Sequence, residues 1–579
     1  MKKSLTAVLA FILLSISGAY AATSVDEQWR LQRGDYRTTH KSIQINDGMM
    51  PLETYSYLWA EKYPPGGNWS RYLCTNTTDA NCSAPDVYTY QALLPKCIDG
   101  ADTDCIEGLT VLNEAGVQSA AIFKQYNIDE HPNNFIGGEA LGIMHNSNPS
   151  IWDIPQAPHA GGTSYVVVAG AGANKFANDP SAPSQTIFAY VMPVSIRSNA
   201  ILDIARCRQA DATQNLTVAA NTRCTGSDFA YTSDLEARCV ASFGTEGACL
   251  TPEKFPAGLS YELKLRLKIE PLGWFHGRIT DPQISVTSLG SKGVSISVNA
   301  KPVQVPIFLS EGKWEGLSAK TQSWWVNDFV NCKESCGPAG GTNADDPTKN
   351  VPTSFVELSQ YPYGNFAMNI IKTLASEVGD KSVAAPSVWS FKTMKNNVSS
   401  GANECITTGS GLKGIVTTNS TTYSQGAPTF NLGELSYKVA SLHNLPDGSE
   451  FKGSYDLILK SDVARCLYNF SKAPISATIE VVNEAGVTQI ATTTVNEKSG
   501  WLYLSAKNFT FSAPIVKVKL SQEVSAPAPA ASPTPTPSAQ PTLPARAVIK
   551  KTTITCIKGK LTKKVTAVSP KCPAGYKKK

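Results

Sequence analysis

No apolar run in this 579-residue chain is long enough to cross a bilayer as a helix. The run at the start, Leu5 to Ile16, is too short to remain as a span. With Lys2 and Lys3 before it and Ala19, Tyr20 and Ala21 behind it, it reads as a secretory signal peptide, residues 1–21. Catalytic signatures are equally scarce. There is no Gly-x-Ser-x-Gly elbow and no His-Glu-x-x-His helix, so neither the serine hydrolases nor the zinc proteases that carry these motifs fit. Paired Cys-x-x-Cys spacing, which a structural zinc site needs, is absent. Ser410 and Lys413 have the spacing of penicillin-binding enzymes, with Lys498, Ser499 and Gly500 as their third motif. Gly409, Gly411 and Gly414 oppose the helix that would aim the lysine, and no Ser-x-Asn lies between. Tyr165 to Ala169, then Gly170, Ala171 and Gly172, imitates a dinucleotide loop; Lys175 holds the third glycine position, so a glycine turn is expected. His131, His145 and His159 lack ligand spacing and read as loop histidines.

What is present points to an exported, β-rich protein of several domains. Fourteen cysteines lie beyond the signal peptide, an even number that suits an oxidising compartment. Sequence proximity suggests the pairs Cys74 with Cys82, Cys97 with Cys105, Cys207 with Cys224, Cys239 with Cys249, Cys332 with Cys336, Cys405 with Cys466, and Cys556 with Cys572. Net charge is uneven. The whole chain carries +5, the signal peptide +2, and Arg546 to Lys579 eleven Lys and Arg with no Asp or Glu, so residues 22–545 carry 5 − 2 − 11 = −8.

Leu259 to Ile269 alternates apolar and polar residues, which places Tyr261, Leu263, Leu265 and Leu267 on one face of a strand. Strand-like runs follow at Ile284 to Leu289 and Val294 to Ala300, and an extended piece at Pro302 to Leu309; an antiparallel meander is expected. Asn113 to Val117 predicts a hairpin turn and recurs at 483–487. Phe366, Ile370, Ile371, Leu374 and Val378 form one face of a helix that Gly379 stops. Short strands between 451 and 522 predict a β-sandwich. The fold class is therefore mainly β: several sandwich-like domains with disulfide-stapled loops, one short helical region, a Pro-rich linker and a basic C-terminal hairpin. The boundaries expected are 22–255, 256–430 and 431–523 for the β regions, 524–547 for the linker and 548–579 for the tail.

Candidate binding residues follow from aromatic placement. Residues 24–100 are rich in Trp and Tyr, including Trp59, Tyr63 and Trp69, which either fill a core or form a sugar-stacking platform. Trp324 and Trp325 are adjacent, so on a strand one of them would face outward toward a glycan. Asp99, Asp102, Asp104 and Glu107 crowd one loop and form a calcium candidate, although the alternating ligand spacing of the twelve-residue loop is missing.

Ile554 to Lys560 (ITCIKGK), Pro570 to Tyr576 (PKCPAGY) and three final lysines resemble the tail shared by many functionally uncharacterised exported proteins of actinobacteria. Ala464 to Ser471 (ARCLYNFS), with Gly500, Trp501 and Leu502, resembles a β module seen beside that tail. The resemblance covers about the last fifth of the chain and implies export and cell-surface residence, with no catalytic residue and no substrate. The residues predict a secreted, cell-surface or cell-wall protein acting by adhesion or glycan binding. Lys558, Lys560, Lys563 and Lys564, with Lys577, Lys578 and Lys579 as a loose basic end, would hold an anionic envelope polymer or lipid headgroup. Nucleic acid is a poor partner for an exported chain. The alternatives are a secreted glycosidase-like enzyme, which needs only two carboxylates brought together by the fold, and a purely structural envelope component.

Overall fold

The computed structural model describes residues 41–45, 56–67, 69–100, 102–127, 134–181, 183–197, 241–243, 248–330, 355–358, 360–394, 404–407, 411–424, 426–472, 475–482, 488–489, 492–511, 515–522, 552–559 and 561–579. It is mainly β and forms two compact units, residues 1–523 and 524–579.

In the first unit a small sheet places strand β1 (Lys41–Ile45) between two strands from later in the chain, described below. Strands β2 (Tyr57–Lys62), β3 (Ser70–Leu73) and β4 (Val87–Leu93) follow, then β5 (Cys105–Leu112), β6 (Ser164–Phe176) and β7 (Thr186–Arg197). β4 pairs with β6 and β6 with β7, which gives one large antiparallel sheet. The alternation that begins at Leu259 becomes β8 (Ser260–Leu267), with Tyr261, Leu263, Leu265 and Leu267 buried and the residues between them partly open. Tyr261 meets the facing sheet directly, its hydroxyl 3.2 Å from that of Tyr165 on β6. Val167, Ala169, Ile187, Val191, Leu263 and Leu265 fill the space between the sheets. The other face of β6 and β7 is buried too, with Val166, Val168 and Val194 against Leu250 and Ile307. Burial on both faces explains the unbroken apolar run at Tyr165 to Ala169.

The expected glycine turn is not there. Gly170 and Gly172 continue β6, and a Cβ on Gly170 would stand 2.6 Å from the Phe188 ring and 2.7 Å from the Ala92 carbonyl oxygen. Glycine serves close packing at this position, not chain reversal.

The meander also differs from expectation. β8 pairs with β10 (Val294–Gln304), and β9 (Gly273–Ser288) lies beyond β10, so the third strand in sequence is the middle one in space. β9 is long because it serves two sheets. Residues 273–278 pair with β13 (Ser387–Thr393) and β14 (Leu412–Thr418), and its second half pairs with β10. The crossing is at Asp281 and Pro282, where the register shifts and Asp281 takes φ 52°. Strands that change sheets do so at bulges of this kind, where proline removes no ladder hydrogen bond. β10 then pairs Val303 and Gln304 with β13, closing the sheet on itself. The extended piece after Pro302 does not extend the meander; Phe308–Gly312 (β11) joins β1, as does Phe355–Leu358 (β12).

Helix α1 (Ala319–Trp324) and helix α2 (Gln360–Leu374) pack on that small sheet. The predicted face of α2 is buried at Phe366, Ile370, Ile371 and Leu374, and Gly379 ends the segment at φ 65°. The helix starts at Gln360, earlier than its apolar face suggests, because Pro362 is tolerated in a first turn.

The predicted sandwich of residues 451–522 is present. β15 (Glu434–Ala440), β17 (Ile475–Val482) and β20 (Ile515–Gln522) form one layer. β16 (Gly453–Lys460), β18 (Thr492–Lys498) and β19 (Trp501–Phe509) lie in the other. Tyr437, Val439, Val516 and Val518 meet Leu457, Leu459, Leu502 and Leu504 between them. β16 continues through β14 into β9, and β5 pairs with β8, so sheets run through both expected boundaries, 255/256 and 430/431. Helix α3 (Ser461–Tyr468) closes one end, tied by a disulfide from Cys466 to Cys405.

Three more predicted disulfides are formed: Cys74 with Cys82, Cys97 with Cys105, and Cys556 with Cys572. The pairs assigned to Cys207, Cys224, Cys239, Cys332 and Cys336 involve residues outside those described, as does the 483–487 turn. The turn at Asn113 is formed, with the Gly116 N–H donating to the Asn113 carbonyl at 2.9 Å.

A buried polar cluster holds β9 against the end of β14. Arg278, 2% exposed, donates to the carbonyls of Thr418, Ser420 and Thr421 and lies 4.5 Å from the Tyr423 ring centre. His276 stacks on the same Tyr423 ring, 3.5 Å between ring centres and 8° from parallel. Burial, then Arg278 and Lys392, hold the His276 pKa well below the ordinary histidine value. The unfolded chain therefore binds the proton first as pH falls below about 6.5. Stability present above that pH is lost below it, by up to about 1.4 kcal/mol per pH unit. Urea midpoints at pH 7.5 and 5.5 are expected to fall for the native chain and to fall less for His276→Phe; equal slopes count against this assignment.

The second unit is a three-stranded sheet of β21 (Thr552–Lys558), β22 (Leu561–Ala567) and β23 (Lys577–Lys578). Lys577 and Lys578 are therefore a paired strand, not a loose end, because β21 offers Cys556 and Ile557 as an open edge. Cys556 is fully buried at its centre.

Candidate functional site

Directly paired residues share a face, so strand register identifies what β2, β3, β4 and β6 present to solvent. Leu58, Ala60, Tyr88 and Tyr90 point into the core. Trp59 with Leu73 and Thr89, Glu61 with Arg71 and Val87, and Asn174 and Phe176 on β6 form the opposite face. Leu73 and Phe176 are exposed, and Tyr63 and Trp69, each 52% exposed, stand where β2 turns into β3. Pro64, Pro65, Gly66 and Gly67 make that turn, and the Gly67 N–H closes it on the Pro64 carbonyl at 3.0 Å.

Polar groups organise this face. The Tyr63 hydroxyl donates to Glu61 Oε2 at 2.6 Å, and the Tyr63 N–H donates to Asp86 Oδ2 at 2.5 Å. The hydrogen bond to Glu61 raises the Tyr63 pKa, with Trp69 and Arg71 acting against it. Arg71 stacks over Trp59 at 4.4 Å and reaches Glu61 Oε1 at 3.4 Å. An aromatic pair at the rim and a fixed carboxylate–guanidinium pair beside it offer ring faces for C–H groups and charged partners for hydroxyls.

Of the three candidate tryptophans only Trp69 is available. Trp324 and Trp325 are each 1% exposed, in the core under α2. The strand assumption failed for them because α1 and a π-helical turn carry them, and on a helix successive residues both reach one broad face.

The acidic loop is occupied by its own structure. Asp102 accepts from the Asp99 N–H at 3.0 Å and from the Ile98 N–H, and these bonds lower its pKa. Asp104 accepts from the Lys268 N–H at 2.8 Å, while burial raises its pKa. Glu107 takes Arg266 at 3.2 Å, and Arg266 also donates to the Asp99 carbonyl at 2.8 Å. Among the described residues no three His, Cys, Asp or Glu side chains converge to hold a metal ion. His145 accepts from the Gly137 N–H and His159 from the Gly161 N–H, both as loop clasps, while His131 lies outside the described residues.

A second concavity was not foreseen. A cleft of about 720 Å³ lies at the N-terminus of α3, with Lys460, Asp462, Arg465, Lys472, Glu270 and Glu497 in its walls, and Trp501, Val286 and Val294 as its apolar part. Arg465 grips Glu497 at 2.8 and 3.2 Å and donates to the Ser471 carbonyl at 2.9 Å. That guanidinium holds the Glu497 carboxyl below its usual pKa. Lys460 stands 3.6 Å from Glu270 and 5.8 Å from the Trp501 ring centre. Ser499 and Gly500 border the cleft as the hairpin turn between Lys498 and Trp501, Ser499 at φ 52° and Gly500 at φ 78°, which is their reason for being there. Ser410 lies outside the described residues. The two stretches that carry the module resemblance, Ala464 to Ser471 and Gly500 to Leu502, meet at this cleft through Arg465 and Trp501.

In the second unit Lys558, Lys563, Lys564, Lys577, Lys578 and Lys579 are all exposed, and Lys560 lies outside the described residues. Register places Lys563 and Lys578 on one face of the sheet and Lys564 and Lys577 on the other. No helix among the described residues is long and apolar enough to cross a membrane. No family model matches this chain, and neither the curated proteins nor the solved structures contain a match.

Proposed function

We propose that the protein is an exported glycan-binding adhesin, displayed at the cell surface and held to an anionic envelope polymer or lipid headgroup by its C-terminal lysines. The observation that carries the reading is the open aromatic face at the β2–β3 turn, where Tyr63 and Trp69 are half exposed beside the fixed Glu61–Arg71 pair. Large aromatics on a soluble chain are usually covered, and an uncovered pair with ordered polar neighbours suits stacking against sugar rings. Four disulfides fit an oxidising compartment. Six exposed lysines on a stapled sheet, near an anionic surface, contribute about 1 kcal/mol each.

The test is retention of the purified chain on insoluble envelope polysaccharide, with assay of new reducing ends. Native protein is expected to be retained without cleavage, and Trp69→Ala to elute early at unchanged thermal midpoint. New reducing ends favour the enzyme, and equal retention of Trp69→Ala removes the platform. A chain ending at Ala526 is expected in the medium, while full-length protein stays with cells until washed in about 1 M salt, where screening shortens to about 3 Å. Identical partitioning of the two chains sinks the attachment role.

A further inference from the structure

We infer that the cleft at the N-terminus of α3 is a second ligand site, for a neutral polyhydroxylated molecule such as an oligosaccharide segment; this rests on the glycan-binding reading. Its volume, about 720 Å³, lies within the range of sites that enclose small ligands. Composition selects the ligand class by elimination. Three cations and three carboxylates balance, so the cleft concentrates neither anions nor cations. The walls are polar and apolar in similar measure, with Trp501, Val286 and Val294 as the apolar part, which suits a ligand that presents both C–H faces and hydroxyls. A polyol uses donors and acceptors together and needs no net charge to match.

The hydrogen-bonding groups are already set in place. Arg465 fixes the Glu497 carboxylate, and the Leu412 N–H at 3.0 Å, with Lys460 at 3.6 Å, fixes Oε1 of Glu270, which leaves acceptor capacity on both carboxylates for ligand hydroxyls. Asp462 and Lys472 are exposed and enter no ion pair among the described residues. Asp462 Oδ1 accepts from the Val463 N–H at 2.9 Å, so its second oxygen supplies an acceptor and Lys472 a donor. A carboxylate held by a guanidinium costs a hydroxyl ligand little reorganisation, which favours pre-formed sites of this type.

The experiment uses four full-length proteins: native, Trp69→Ala, the double variant Asp462→Ala/Lys472→Ala, and all three substitutions together. Each is titrated calorimetrically with cellohexaose, maltohexaose and chitohexaose, and with oligogalacturonate and chitosan hexamer as charged counterparts. Both cleft substitutions are at exposed positions, and unchanged thermal midpoints confirm folding. Trp69→Ala is expected to retain binding of a neutral hexamer, and adding the cleft substitutions to weaken it about tenfold or more, the loss of charged hydrogen bonds. Abolition of all binding by Trp69→Ala alone overturns the cleft site and leaves the platform standing. Residual binding unchanged by Asp462→Ala/Lys472→Ala overturns the cleft site as well. Preference of Trp69→Ala for either charged oligomer overturns the neutral ligand class. No neutral binding by native protein overturns the cleft and the glycan reading together.

Discussion

Leu265→Asp is expected to remove the cooperative thermal transition or to lower its midpoint severely, while Lys264→Asp, one position away, leaves it nearly unchanged. Leu265 is 1% exposed in the main core, and an unpaired carboxylate there costs on the order of 3 to 5 kcal/mol. That is a large part of what holds an ordinary domain together. Lys264 points the other way, its side chain 44% exposed and 3.6 Å from Glu262. An exposed pair of this sort contributes at most about 1 kcal/mol. Scanning calorimetry of both variants decides the matter. Equal losses would show that the alternation does not mark the two faces of β8.

The second large effect concerns a charge the core already contains. Asp456 on β16 is 3% exposed and accepts from the Thr417 hydroxyl at 2.9 Å, the Ser505 hydroxyl at 2.7 Å and the Asp281 N–H at 3.2 Å. Lys507 stands 2.7 Å from its Oδ1 and 3.4 Å from Asp281. Asp456→Leu leaves the Thr417 and Ser505 hydroxyls without this acceptor and the Lys507 ammonium with Asp281 as its carboxylate, and the expected loss is about 3 kcal/mol. Lys507→Met on the same background is expected to restore much of it, since an apolar pair of similar volume removes the ammonium that lost its buried acceptor. Urea midpoints of the native, single and double variants measure the coupling. A loss below about 1 kcal/mol for Asp456→Leu would mean that solvent reaches the site.

Local patterns were read correctly wherever one side chain's neighbours along the chain decide its environment. The alternation at Tyr261 to Leu267 and the four-residue face of α2 are periodicities of single elements. Each followed because burial of one face is the only way such an element gains from packing. The disulfide Cys74–Cys82 followed from proximity, since closing a short loop costs the chain little entropy. The same rule found Cys405–Cys466 across a separation of 61 residues, where it is a weaker guide. Trp69 was legible only as part of an aromatic-rich stretch. Its exposure depends on the Pro–Gly turn that carries it past the sheet edge, whereas Trp324 and Trp325 look equally promising in sequence and are covered by α2.

By itself, then, the sequence determined the strand-dominated class, the polarity of each strand face, the stapled loops and the separation of a basic tail from an acidic body. These depend on side-chain type and on spacing along the chain. Tertiary structure alone decided that β10 lies between β8 and β9, that β9 serves two sheets through the bulge at Asp281, and that Gly170 makes room for Phe188. It also decided that Arg278 caps the carbonyls of Thr418, Ser420 and Thr421, and that Lys460, Arg465 and Glu497 share a cleft with Glu270. Each of these pairs residues far apart in the chain, and no local preference distinguishes the partner chosen from many others of the same type. Only the simultaneous burial of every apolar face and the pairing of every buried polar group selects among them.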